Sequence, residues 1–187
     1  MDKPLEQPKV QAAAQHSSID KPQPPRLRRI WAYRNLLVIA LFVLIADQLS
    51  KQAIVASLPF PSYGADHGAI TVIRNFFYIV HVGNTGAAWS MFSGQSLLLA
   101  LFALVTLIAI FLWRRALGLK ELKTQICFGL LCGGIVGNVI DRLRYGHVID
   151  FIDLHFGSYT YPSFNVADSG ICIGVMLYLW QSLRDPH

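Results

Sequence analysis

The chain has 187 residues, of which 53% are hydrophobic and only 14% charged, with a net charge of +5. Soluble domains carry about 25% charged residues, so the deficit excludes an ordinary water-soluble globule and points to a surface that faces lipid. The basic excess gathers at the ends of apolar runs, which makes it a topology signal and argues against nucleic acid as a partner.

Residues 1–29 are polar, contain Pro4, Pro8, Pro22, Pro24 and Pro25, and end in Arg26, Arg28 and Arg29. Such a segment buries too little apolar surface to offset its ordering entropy, which predicts a disordered cytoplasmic tail over 1–29 and a single membrane unit over 30–187. Basic residues before an apolar run also open secretory signals. Here Asp47 and Lys51 interrupt the following stretch and no clean cleavage signature is present, so the run reads as an uncleaved first helix.

Four apolar stretches follow: Trp31 to Leu58, Leu97 to Trp113, Gln125 to Ile140 and Ile171 to Leu183. A span needs roughly 20 helical residues. The last two reach that length only if Asn138, Asp141, Asn165 and Asp168 lie at the membrane boundary. Twelve Lys and Arg residues flank one side, against Lys51, Arg74, Arg142 and Arg144 on the other. The fold class expected is therefore an all-α polytopic membrane protein with four transmembrane helices, both termini cytoplasmic and two external connections. Within the first connection, about 59–96, Ile70–Ile73 and Phe76–Val82 are rich in β-branched and aromatic residues and read as short strands, a small β-rich segment on the membrane surface.

That topology brings the polar residues to one level. Asp47 and Lys51, Asn84 to Ala88, Asn138 with Asp141 and Arg142, and Asn165 with Asp168 all fall at the external ends of their helices, and Asp150 and Asp153 lie in the second connection. Ionisable groups at membrane depth are costly. Asp47 and Lys51 have the spacing of an intrahelical ion pair, and Asn138, Asp141 and Arg142 that of a polar brace. Asn165 is placed to cap the fourth helix, with Asp168 in its first turn, where the helix dipole alone would favour an acid. Two carboxylates close together in an apolar setting share a proton, providing a base to activate water and an acid to protonate a carbonyl or leaving amine. By spacing, Asp150 or Asp153 serves equally as one member.

Other hydrolytic chemistries lack their motifs. There is no His-Glu-x-x-His, no Gly-x-Ser-x-Gly and no metal-ligand spacing among the six histidines; Cys127, Cys132 and Cys172 lie in apolar segments and read as packing residues. A transporter would carry polar groups at the midplane and on both sides of it. A structural factor would use the aspartates only to hold helices together.

Taken in order, Asp47-Gln48-Leu49-Ser50-Lys51, Asn75-Phe76-Phe77, Asn84-Thr85-Gly86-Ala87-Ala88, Gly133 to Arg142, Gly146-His147-Val148-Ile149-Asp150-Phe151 and Phe164 to Ser169 resemble the bacterial lipoprotein signal peptidases (signal peptidase II), from about Asn35 to Leu183. The resemblance implies an aspartic endopeptidase of the inner membrane with Asp150 and Asp168 as its catalytic pair and no cofactor or metal. Asn84, Gly86, Asn138, Arg142 and Asn165 would line or support the site, with Asp47, Lys51 and Asp141 supporting it. The implied substrate is a diacylglyceryl-modified prolipoprotein, cut just before the lipidated cysteine at the outer face, by a monomer surrounded by membrane lipids. Two residues depart from the family pattern: Trp89 where Phe is common, and Gly83 where a basic residue is common.

Overall fold

The computed structural model describes residues 31–63 and 67–184; the tail expected over 1–29 lies outside them. The elements run α1 (Arg34–Ser57), β1 (Ile70–Ile73), β2 (Phe77–Asn84), α2 (Ser96–Leu112), α3 (Leu122–Tyr145), β3 (Val148–Phe156), β4 (Tyr159–Phe164) and α4 (Val166–Arg184). Among the described residues three helices, α1, α3 and α4, are long and apolar enough to cross a membrane. With 17 residues, α2 is shorter, reaching ~26 Å against the ~30 Å hydrocarbon thickness.

The helices α3 and α4 are longer than their apolar cores, because Asn138, Asp141 and Arg142 continue α3 and Asp168 opens α4. Gly146 ends α3: its φ of 74° is the left-handed conformation of a helix C-cap, and its N–H donates to the Arg142 carbonyl. The chain leaves directly into β3.

Helix α3 is the hub of the bundle, with α1 on one side and α4 on another. Its Gly129, Gly133 and Gly137, four residues apart, lie against Ile39, Ala40 and Asp47 of α1, where any Cβ would collide. Gly134 does the same for the Ala167 carbonyl, and Gly174 of α4 for the Cys127 carbonyl. Small residues at this interval let helix backbones approach closely, which drives packing where lipid offers no hydrophobic contrast. Toward the other end, Cys127 and Phe128 pack with Leu119, Leu36 and Tyr178. The outward faces are apolar: Leu41 and Phe42 of α1, Phe102 and Ile108 of α2 and Trp180 of α4 are more than half exposed, as a lipid-facing belt requires.

The strands form one antiparallel sheet in the order β1-β2-β3-β4. Both expected strands of the first connection are present. The sheet is not confined to that connection, however, as the sequence reading had it: half its strands come from the connection between α3 and α4. Strand β3 pairs with β2 along most of its length and turns into β4 through Gly157, whose φ is +65°. Strand β4 went unexpected because Pro162 sits in its middle. The register slips there by one residue, between the pairs Ile152↔Phe164 and Leu154↔Tyr161. A bulge is where a strand tolerates a residue without an N–H.

Candidate active site

Strand β3 leaves the end of α3 and β4 returns to the start of α4, so the hairpin holds Asp150 beside the first turn of α4. The Asp150 side chain is almost wholly buried (2% exposed residue). Its Oδ2 accepts from Asn84 Nδ2 at 3.1 Å and its Oδ1 from Asn165 Nδ2 at 2.8 Å. Asn84 has no freedom to flip, because its Oδ1 already accepts the Gly86 N–H at 2.9 Å, leaving only the amide nitrogen for the carboxylate. Burial pushes the Asp150 carboxyl up to about 7; the neighbouring Asp168 carboxylate adds to the rise, while the Asn84 and Asn165 amides and the Lys51 charge oppose it.

Asp168 stands three residues after Asn165, and the two form a reciprocal cap. Asn165 Oδ1 accepts the Asp168 N–H at 2.9 Å, and Asp168 Oδ2 accepts the Asn165 N–H at 3.2 Å. The capping role foreseen for Asn165 is thus occupied, and it leaves the other Asp168 oxygen free to accept from Asn138 Nδ2 at 2.7 Å. Asn165 Nδ2 meanwhile reaches Asp150. One residue therefore serves both aspartates: the Asn165 side chain holds the Asp150 carboxylate and the Asp168 N–H, and its backbone N–H donates to the Asp168 carboxylate.

Behind this pair lies a second polar layer. Lys51, 1% exposed, places Nζ 2.8 Å from Asp47 Oδ2, 2.7 Å from Asp141 Oδ2 and 3.1 Å from Asn138 Oδ1. An ammonium only donates, so it fixes the Asn138 oxygen on its own side and turns the Asn138 amide nitrogen toward Asp168. The two flanking carboxylates reach forward. Asp47 Oδ1 accepts the Ala167 N–H at 2.9 Å, one residue before Asp168, and Asp141 Oδ2 accepts the Ile149 N–H at 3.3 Å, one residue before Asp150. Gln48 Nε2 joins the same carboxylates at 3.2 and 3.0 Å. The intrahelical Asp47–Lys51 pair expected from spacing is present and is extended across helices by Asp141.

Asp150, Asp168, Asn84, Gly86, Asn138 and Arg142 line one cavity of about 560 Å³ between the sheet and the helix ends. Arg142 donates from Nη2 to the Gly86 carbonyl at 2.9 Å, pinning the segment before α2. Asn165 sits immediately beneath the cavity; Asp47, Lys51 and Asp141 lie farther back, away from its lining. Asp153 does not join this group: it faces His155, with Oδ2 2.8 Å from Nε2. Several contributors escaped the sequence reading as site residues. Gln48 was visible only as part of a motif. The Ala167 and Ile149 N–H groups carry no side-chain signal at all. Tyr63 was not singled out, and Tyr161, which forms a wall with Trp89, depends on the unforeseen β4.

Among the described residues no group of three or more His, Cys, Asp or Glu side chains could hold a metal ion. Apolar helices, with Asp168 in the first turn of one and Asp150 on the adjoining strand facing the same pocket, are the arrangement expected of an integral membrane aspartic peptidase. Comparison with known proteins is specific. The family described as signal peptidase (SPase) II matches residues 39–184. A lipoprotein signal peptidase from Syntrophotalea carbinolica is 39% identical over 156 residues, covering 82% of this chain and 93% of that one. Another, from Burkholderia cenocepacia, is 43% identical over 153 residues, covering 79% and 87%. Among solved structures, a bacterial membrane enzyme determined by the in meso method at 2.3 Å superposes with a TM-score of 0.71 at 35% identity, over 80% of this chain and 88% of that chain. The chain belongs to the signal peptidase II family.

Proposed function

We propose that this enzyme removes the signal peptide from diacylglyceryl-modified prolipoproteins, cleaving just before the lipidated cysteine, with Asp150 and Asp168 as the water-activating pair. The observation that carries the reading is the pair itself: a buried Asp150 carboxylate and a partly buried Asp168 carboxylate, both hydrogen-bonded by one residue, Asn165, at the edge of a single cavity. In the cycle that follows, the pair holds one proton. Its ionised member takes a proton from water as the oxygen attacks the scissile carbonyl, and its neutral member gives its proton to the carbonyl oxygen. The tetrahedral intermediate collapses as a proton passes to the cysteine nitrogen, releasing the signal peptide with a new carboxylate and the mature chain with a free amine.

The membrane setting supports the same reading. A signal helix and acyl chains both partition into lipid, whereas hydrolysis needs water, so the scissile bond belongs at a membrane boundary. We place four spans in the bacterial inner membrane with both termini cytoplasmic and the cavity at the outer face, on the twelve-to-four distribution of Lys and Arg. Asn84, Asn138, Asn165 and Arg142 orient the carboxylates and substrate backbone; Asp47, Lys51 and Asp141 hold them in register. The test is incubation of purified enzyme with a prolipoprotein in diacylglyceryl-modified and unmodified forms, followed by mass analysis of the products. The reading expects a product beginning at the modified cysteine. Cleavage elsewhere, or none, would overturn it.

A further inference from the structure

The catalytic cavity does not end at the carboxylates. A second hollow of about 440 Å³ opens beside it on the sheet and shares Tyr63, Trp89, Tyr161 and Ser163 with the first. At its far end stand Asp153 and His155, alternate positions of β3 that share the strand face opposite to Asp150. Asp153 accepts from Ser163 Oγ at 3.4 Å as well as facing His155. Its side chain is 10% exposed and that of His155 32%, so the imidazole forms the open rim and the carboxylate the floor. The Trp89 and Tyr161 rings, with centroids 6.3 Å apart, form the wall common to the two hollows.

Resting on the peptidase reading, we infer that this second hollow is a subsite for the mature chain beyond the cysteine and that Asp153 reads the charge of that chain's third residue. Direction and distance both follow from the strand. Strand β3 runs from Asp150 away from α3, so Asp153 and His155 lie toward the hairpin tip. An apolar signal helix has no reason to enter a hollow floored by a carboxylate, whereas the hydrophilic mature chain does. Three residues of β3 separate Asp150 from Asp153, about 10 Å at ~3.3 Å per residue. Asp153 faces the other side of the strand from Asp150, so the chain reaches it past the Trp89 and Tyr161 wall that the two hollows share. Over that distance an extended substrate brings its third mature residue to Asp153, the lipidated cysteine counting as the first. A basic side chain there meets the carboxylate; an acidic one meets like charge at a half-enclosed site.

The experiment uses full-length enzyme in lipid nanodiscs and two diacylglyceryl-modified prolipoproteins that differ only in Lys or Glu at the third mature residue. Wild type is expected to favour Lys in kcat/KM by on the order of threefold to fivefold, the range of a partly exposed charge pair. The preference should shrink at 0.5 M salt, fall to about one in Asp153→Asn, and persist in His155→Gln, which leaves the carboxylate in place. Equal cleavage of both substrates by wild type, or a preference unchanged in Asp153→Asn, overturns the subsite and leaves the peptidase reading intact. An enzyme inert on both substrates overturns the peptidase reading and the subsite together.

Discussion

Replacing Lys51 by Met tests whether the layer behind the cavity holds the fold as the geometry implies. The methionine is close in size and apolar, so the cavity term is small. What is lost is one ammonium that faces two buried carboxylates, at 2.8 and 2.7 Å, and the Asn138 amide oxygen. Removing one partner of a buried ion pair costs ~3–5 kcal/mol, since the remaining charge is left uncompensated. For a domain of this size 1 kcal/mol moves Tm by about 2–4 °C, so Lys51→Met should lower Tm by roughly 6–20 °C in nanodiscs. That loss comes from stranded charge and not from lost packing. Adding Asp47→Asn and Asp141→Asn removes both charges while keeping an oxygen for the Ala167 and Ile149 N–H groups. The triple variant should therefore regain more than half of the Tm deficit. A single variant within about 2 °C of wild type, or a triple variant less stable than the single one, would show that stranded charge is not the cause.

Other consequences can be measured on the same preparations. Activity should fall as pH rises through about 7, where Asp150 and its partner lose their shared proton; a kcat/KM profile flat from pH 6 to 9 would contradict this. In stability the sign is the same. A carboxyl held near 7 in the fold, against about 3.9 unfolded, contributes stability that is complete below about pH 4 and lost as pH rises through about 7. Asp150→Asn should accordingly lose less Tm than wild type between pH 5 and pH 8. Gly134→Ala would push a methyl group into the Ala167 carbonyl, and should cost ~1–3 kcal/mol as overpacking, read as a lowered Tm together with slowed turnover, because Ala167 precedes Asp168. Asn165→Ala removes a helix cap worth ~0.5–2 kcal/mol along with the contact to Asp150. Turnover should drop far more than stability, and a variant with wild-type kcat would count against the shared-asparagine geometry.

Much of the architecture was legible because a bilayer imposes simple rules on sequence. Long apolar runs announced the helices, and the polar residues at their ends marked the level where the pocket forms. The β-branched runs at Ile70 and Phe76 announced two strands. The other two depended on long-range pairing of β3 with β2, and on a β4 whose Pro162 masks its strand character. Spacing left Asp150 and Asp153 as equal candidates. In the fold they open onto different hollows, Asp150 beside Asp168 and Asp153 beside His155. Least legible were the links from Asp47 to the Ala167 N–H and from Asp141 to the Ile149 N–H. Each joins a side chain to a backbone group in another element, and a backbone N–H is the same at every position. The glycines of α3 were visible as part of a motif, but only close helix packing gives them a physical reason.

The central claim is that Asp150 and Asp168 act together on water. Its most direct test is signal-peptide release from a diacylglyceryl-modified prolipoprotein by wild type, Asp150→Asn and Asp168→Asn, each first checked for a wild-type-like Tm. Release by the wild type and none above background by either variant is the expected result. Retained release by a folded Asp150→Asn or Asp168→Asn enzyme would contradict it.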